Sequence, residues 1–494
     1  MIMQITSRTI LLQIFVGILS MCSCNAQERI GDAASSVKTQ GQIVIDKSGQ
    51  TFVNNHRIVI GLDGEAATYK QMGTIFLGKS KQKAPLLECS AVLIGRLNND
   101  EVDTVANVSN VTFINRDTIE IHSKGLVEKY AHLVRDAQHP DYPYQNMRML
   151  AMSSEGEGNM MVNEGVIDIY LDHDPTTGIN VYGIGMIGKH CNTFINRGKI
   201  RFHGMGSPKS RVRGMASMSD NVMFVNDGSI IIDVKMTDDA RMITSGGDYN
   251  DIINNGTMEG RSSGTMIGMT RYGDSHITNN GAIALTVEKM PTGYQSTLSS
   301  TDKFACGLFE FLNAKRKHIA PVNNKGGIVI NLNDNTDDQW KAYGLCVNML
   351  IPCEADFTVN NVGTITLTNR NTANNYSMAE VGTINRTANK ANIRINVGKW
   401  HTSLRDFTGK NGLFHGSHVT MDFSKAEFVF EKQPGYTYGK QLSVSPETLL
   451  YCADGETPTN QYIGYDNMKI VGKDGNIQVD WDKNSKKVSL KKGN

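Results

Sequence analysis

From about residue 110 onward, apolar and polar residues alternate over short stretches, and the stretches recur. A pair of mostly apolar residues is followed by Asn-x-Gly-x, then Ile or a similar residue, then alternation. The phrase runs Phe113-Ile114-Asn115-Arg116-Asp117-Thr118-Ile119, Met161-Val162-Asn163-Glu164-Gly165-Val166-Ile167, and Phe194-Ile195-Asn196-Arg197-Gly198-Lys199-Ile200. It continues around Asn226, Asn254 and Asn279, with looser copies at Asn324 and Asn361 and the weakest at Asn396. The anchor asparagines are separated by 48, 33, 30, 28, 25, 45, 37 and 35 residues. The four middle intervals are near-regular, and the longer ones read as loop insertions into one repeated unit.

A second apolar phrase precedes each regular anchor by about a dozen residues. Its copies are Gly185-Met186-Ile187, Gly214-Met215-Ala216, Arg241-Met242-Ile243 and Thr265-Met266-Ile267, then Gly307-Leu308-Phe309 and Gly344-Leu345-Cys346. Each unit thus contains at least two short strands. Asn and Gly accept left-handed backbone cheaply, so the Asn-x-Gly phrase is expected to turn a corner with that conformation. Four and six residues after the anchor the chain is apolar, as in Ile167 and Ile169, Ile200 and Phe202, or Ile230 and Ile232. The residue between them varies, so one face of the strand points in and the other out.

Strands this short bury their apolar face only by stacking on the equivalent strand one coil away, ~4.8 Å along an axis. Corner asparagines then stack as an amide ladder. The prediction is an all-β fold: a single right-handed parallel β-helix of nine or ten coils over residues 76–420. Caps are expected at 27–75 and 421–494, covering strand edges that would otherwise recruit another chain. Intervals of 25 to 30 residues leave little room for the four strands of a propeller blade. The Val-, Ile- and Gly-rich strands exclude helical repeats.

The Asn-x-Gly-x-Ile phrase resembles the rungs of secreted bacterial β-helix proteins, the autotransporter passengers and filamentous-haemagglutinin-like adhesins. The resemblance covers about residues 90–400 and implies architecture rather than activity. Autotransporters end in a membrane β-barrel; residues 401–494 are too few and too charged for one.

Composition narrows the function. Fifty Lys and Arg balance 49 Asp and Glu, for a net charge of +1, which removes any argument for nucleic acid as partner. Residues 1–26 read as an export signal, with Arg8 before the short apolar run Ile10–Leu19. Cleavage after Ala26 gives a soluble protein. Met21-Cys22-Ser23-Cys24 instead resembles a lipobox, which makes Cys24 the lipidation site and a lipid anchor the route to a membrane. The chain is then exported, to the cell envelope or outer surface or beyond it. Of the cysteines after Ala26, Cys346 and Cys353 are near enough in sequence to pair.

Chemistry in such a fold sits on outward columns. Glu120, Asp168 and Arg201 share one column, and His122, Tyr170, His203 and Asp233 the next. On adjacent coils, Glu120 and Asp168 approach the ~5–5.5 Å spacing of a retaining glycosidase pair, with one pKa raised as a general acid needs. Arg201 is placed to hold a sugar carboxylate. The bland alternative is a solvated face whose charges pair to avoid repulsion. Tyr170, His203, Asp172 and His173 are the candidate binding residues, with Tyr142 and Tyr144 from the 122–150 insertion, where a helix is expected from Leu126 to Ala137. Asp172, His173 and Asp174 are also a candidate calcium site, although His suits calcium poorly. Basic clusters at Lys209–Arg213 and Lys315–His318 are candidates for acidic glycans. Insertions at 286–305 and 332–342 bring Tyr294 and Trp340 to loops that project from the scaffold.

Three functions follow. The first is an adhesin-like or glycan-contacting module whose partner is a carbohydrate or a host or cell-surface ligand. The second is a polysaccharide lyase or glycoside hydrolase on the same scaffold, and the third a structural surface protein.

Overall fold

A computed structural model describes residues 42–493 apart from 63–67, 78–79, 99–100, 104–105, 131–146, 187–189, 299–302, 313–319, 333–339, 350–356, 369–392, 405–413, 416–418, 433–435, 446–449, 452–460 and 474–476. Cys24, Tyr142, Tyr144, Cys353 and the Lys315–His318 cluster lie outside the described residues.

The chain is a parallel β-helix. It has three walls: walls 2 and 3 each hold twelve strands among the described residues, and wall 1 holds nine coil strands, from Ile43–Ile45 to Lys341–Met349, with three further strands at its N-terminal part. As far as Lys341–Met349, a coil takes one strand from each in turn; beyond it the last three rungs are described in walls 2 and 3 alone. The coil through Asn196 uses Asn180–Met186 in wall 1, Thr193–Asn196 in wall 2 and Lys199–Gly206 in wall 3. Walls 2 and 3 are parallel throughout; wall 1 also contains an antiparallel hairpin of Thr68–Leu77 and Ser80–Ile94. Walls 2 and 3 hold nine or ten rungs within 76–420, as expected, and twelve in all. Ile43–Ile45, Thr51–Asn54 and Ile58–Ile60 already pair in register with the walls. At the other end, wall 2 reaches Gln461–Ile463 and wall 3 Lys469–Gly472. In-register coils therefore extend beyond 76–420 on both sides. The antiparallel strands Leu442–Ser443, Ile477–Asp482 and Lys487–Lys492 form a separate sheet.

The Asn corner between walls 2 and 3 organises the stack. Asn54, Asn115, Asn163, Asn196, Asn226, Asn254, Asn279, Asn324 and Asn361 are all buried. Each side-chain Nδ2 donates to the next Oδ1 at 2.8–3.0 Å. Asn54 stands 61 residues before Asn115, further than any interval in the repeat, and is followed by Asn55-His56, which hid it in the sequence. The expected ninth anchor, Asn396, is out of line by one residue: it pairs with Asn360, and Asn361 instead donates to the carbonyl of Val397 at 2.8 Å.

The corner glycines also differ from expectation. From Asn163 to Gly363 neither the anchor asparagines nor the corner glycines take positive φ; Gly398, in the ninth copy, does, at 68°. Gly is needed there because coils touch: a Cβ on Gly198 would overlap the carbonyl oxygen of Gly165.

Ile167, Ile169, Ile200, Phe202, Ile230 and Ile232 stack inward in register and are fully buried, as the alternation predicts. In wall 1 the equivalent residues are Ile184, Met215, Ile243, Met269, Leu308 and Leu345. The sequence phrases therefore slip at Gly185, Arg241 and Thr265. The expected helix begins earlier, as Ser123–Tyr130. No helix among the described residues is long and apolar enough to cross a membrane.

Candidate functional site

Wall 3 carries the outward columns. Glu120 lies on Thr118–His122, Asp168 and Tyr170 on Val166–Leu171, and Arg201 and His203 on Lys199–Gly206. The register places Glu120 beside Asp168 and Asp168 beside Arg201, so no coil is hidden in the 48-residue interval. Its neighbouring column brings His122, Tyr170 and His203 together. His122 stacks on Tyr170 with ring centres 4.5 Å apart and planes within 4°; Tyr170 stacks on His203 at 4.2 Å. Rings stacked along the helix axis turn their edges outward, so the column offers hydroxyl and imidazole groups rather than aromatic faces.

Glu120 and Asp168 each face an arginine. Glu120 accepts from Arg57 at 2.5 Å, and its other oxygen lies 2.7 Å from His122 Nε2. Asp168 accepts from Arg201, and its Oδ1 lies 2.6 Å from His203 Nε2 as a close contact rather than an aligned hydrogen bond. Burial pushes the Glu120 carboxyl upward, but hydrogen bonds and charge from His122 and Arg57 outweigh it and hold it below the ordinary glutamate value. The raised general acid expected from two facing carboxylates is therefore not Glu120. Tyr170 moves the other way: burial, then the charges of Asp168 and Glu120, raise its hydroxyl.

Asp172 accepts from Ser123 Oγ at 3.1 Å and from the Lys124 backbone at 2.8 Å, and lies 3.3 Å from His122 Nδ1. His173 is buried with both ring nitrogens engaged, Nδ1 with Ser123 Oγ at 2.8 Å and Nε2 with the Thr177 carbonyl at 2.9 Å. It anchors the 172–177 turn to the start of the helix, and burial lowers its pKa. Asp174 points to Thr176. Among the described residues no group of three or more His, Cys, Asp or Glu side chains is placed to hold a metal ion.

A second polar cluster on wall 1 escaped the sequence reading. Asp239 pairs with Arg213 at 2.6 Å and with Arg241 at 2.8 Å, and Arg241 donates to Tyr272 Oη at 2.6 Å. Asp238 pairs with Arg211 at 3.2 Å. The basic run Lys209–Arg213 is thus largely matched by acids one coil on. Burial alone would raise Asp239, but the charges of Arg213 and Arg241 pull it down to about 2. For Asp238, burial prevails over Arg211 and raises the carboxyl. The signal was available only through the wall 1 register, which the sequence phrases misplace.

The fold defines a parallel β-helix scaffold with polar side chains displayed on its outer walls. Residues 22–231 match a family described as the BigA third pectate lyase-like domain. That span includes the ring stack and stops before Asp238. No curated protein and no solved structure matches the chain.

Proposed function

We propose that the chain is an exported β-helix protein that displays a binding face for a carbohydrate or another cell-surface ligand, in the manner of an adhesin. The observation that carries this reading is the His122–Tyr170–His203 stack flanked by Arg57 and Arg201. Glu120 and Asp168 are each paired with an arginine and a histidine, which suits a rigid recognition surface better than proton transfer. Rigid polar groups at fixed spacing bind with little ordering cost. Similarity to a pectate lyase-like domain over residues 22–231 supports a sugar as ligand. A glycan array combined with a polysaccharide-depolymerisation screen tests it. Retention of at least one glycan without release of new chain ends is expected, together with about tenfold weaker binding by Tyr170→Ala. Depolymerisation abolished by Asp238→Asn would instead favour a polysaccharide-active enzyme. That second reading draws on Asp238 and Asp239, neighbours whose pKa values are driven apart, as an acid and its partner require.

The same reading places the protein at the cell envelope through lipidated Cys24. Intact-mass analysis of the exported chain checks this part: an acylated mature species beginning at Cys24 is expected. An unmodified one beginning at Gln27 would leave a secreted protein.

A further inference from the structure

We propose that a cleft of about 480 Å³ between the loop after Val287 and Trp340 binds a saccharide carrying a carboxylate or sulfate group. The inference rests on the reading above only in taking a sugar as ligand; the site is separate from the ring stack.

The loop is not required to close its coil. In the preceding coil, Ser263 and Gly264 alone join wall 3 to wall 1. After Ala282–Val287 the chain instead makes an excursion before re-entering wall 1 at Phe304. Long connections of this kind are usually functional. This one is tied down. Glu288 N donates to the Ser262 carbonyl at 2.9 Å, Ser263 Oγ to Met290 Sδ at 3.3 Å, and Tyr294 N to the Pro291 carbonyl at 3.2 Å. Thr297 Oγ1 donates at 2.9 Å to the carbonyl of Pro208, so the loop lies back over earlier coils. Leu298 packs against the main core. A loop fixed in this way holds its cleft open before any ligand arrives.

The volume falls within the ~300–1,000 Å³ range of small-molecule sites. Its lining is chemically mixed. Tyr294 supplies aromatic surface, Ser263 a hydroxyl and Lys289 an ammonium group; Trp340, expected on a projecting loop, is instead packed in the core and closes the floor of the cleft with its edge. Among the described residues the lining holds one carboxylate, Glu288, which has Arg261 at 3.4 Å. An aromatic ring beside a hydroxyl and a cation fits a sugar, which has apolar C–H faces, many hydroxyls and, in this case, an anionic substituent.

Isothermal titration calorimetry on the full chain tests the inference. The probes are a uronic-acid oligosaccharide, a sulfated oligosaccharide and a neutral oligosaccharide of equal length. At least one anionic probe is expected to bind at least tenfold more tightly than the neutral one; which one does so separates carboxylate from sulfate recognition. Lys289→Met and Tyr294→Ala, both away from the core, should each weaken that binding tenfold or more without moving the thermal midpoint. Tyr170→Ala should leave it unchanged. Absence of anionic binding, or binding that survives both cleft substitutions, overturns the inference. Binding lost in Tyr170→Ala instead would leave the wall 3 reading standing and remove the cleft. Cleft binding in a chain whose Tyr170→Ala variant keeps every other glycan would do the reverse.

Discussion

Arg271 and Glu310 meet on adjacent coils of wall 1 with both side chains shut away from water. Ser217 and Ser245 occupy the same column in earlier coils, so a charged pair replaces a run of small hydroxyls. Arg271 also donates to the Ala320 carbonyl at 2.8 Å. Its Nε and Nη1, and both Glu310 oxygens, lack an aligned hydrogen bond among the described residues. Removing one partner strands a buried charge, so Glu310→Gln or Arg271→Met should each cost about 3–5 kcal/mol. Replacing both with Met should recover most of that loss. Urea unfolding of the three variants and the parent checks the cycle.

The amide ladder should be equally intolerant of gaps. Asn196→Ala leaves Asn163 without its acceptor and Asn226 without its donor. Each orphaned buried group costs about 1–3 kcal/mol. Asp227→Ala, one residue past the next anchor, removes only an exposed bond from Asn255 and should stay within about 0.5 kcal/mol. Equal unfolding midpoints for the two variants would contradict the corner geometry.

Ile230 stacks between Ile200 and Met258 in the inward column. Ile230→Asp buries a carboxylate among apolar side chains and should destabilise by about 4 kcal/mol or more. Loss of the cooperative transition by circular dichroism at 37 °C is the expected readout.

Acid should loosen the turn that His173 anchors. Burial lowers its folded pKa below the unfolded value of about 6.5. The unfolded chain therefore binds the extra proton first. This contribution to stability is complete above about pH 6.5 and is lost as pH falls towards the folded pKa. Thermal midpoints measured from pH 7.5 to 5 should fall less steeply in His173→Phe than in the parent.

Legibility in the sequence followed the physics of each corner. Wall 3 was readable because side chains alternate strictly after the Asn-x-Gly phrase, which fixed Glu120, Asp168 and Arg201 in one column. Arg57 was missed because Asn54 stands 61 residues before Asn115, outside the intervals of the repeat, and is followed by Asn55-His56. Asn396 misled because Asn360 and Asn361 are adjacent, and strand pairing selected the first of them. Wall 1 resisted because its strands skip at Gly183, Gly214 and Gly268, where pairing jumps a position. A second buried corner, with Asn159, Asn192 and Asn250 each donating or accepting across coils, lies four residues before three of the anchors. It is interrupted by Val222, so no repeat announced it. Ion pairs such as Asp239–Arg213 depend on register alone and carry no local signature.

The amide ladder has a direction. Every Nδ2 donates towards the C-terminal end of the stack, and the second hydrogens are claimed by carbonyls such as those of Asp117, Lys199 and Ser229. Turning one amide around would set nitrogen against nitrogen on one side and oxygen against oxygen on the other. The backbone at the same corner points the opposite way: the carbonyls of Asn115, Asn163 and Asn196 accept from amides one coil further on. Two counter-running files of dipoles therefore lie side by side, and their fields oppose each other. An α-helix accumulates a macrodipole as it lengthens; this corner can repeat coil after coil while its terminal polarity stays small.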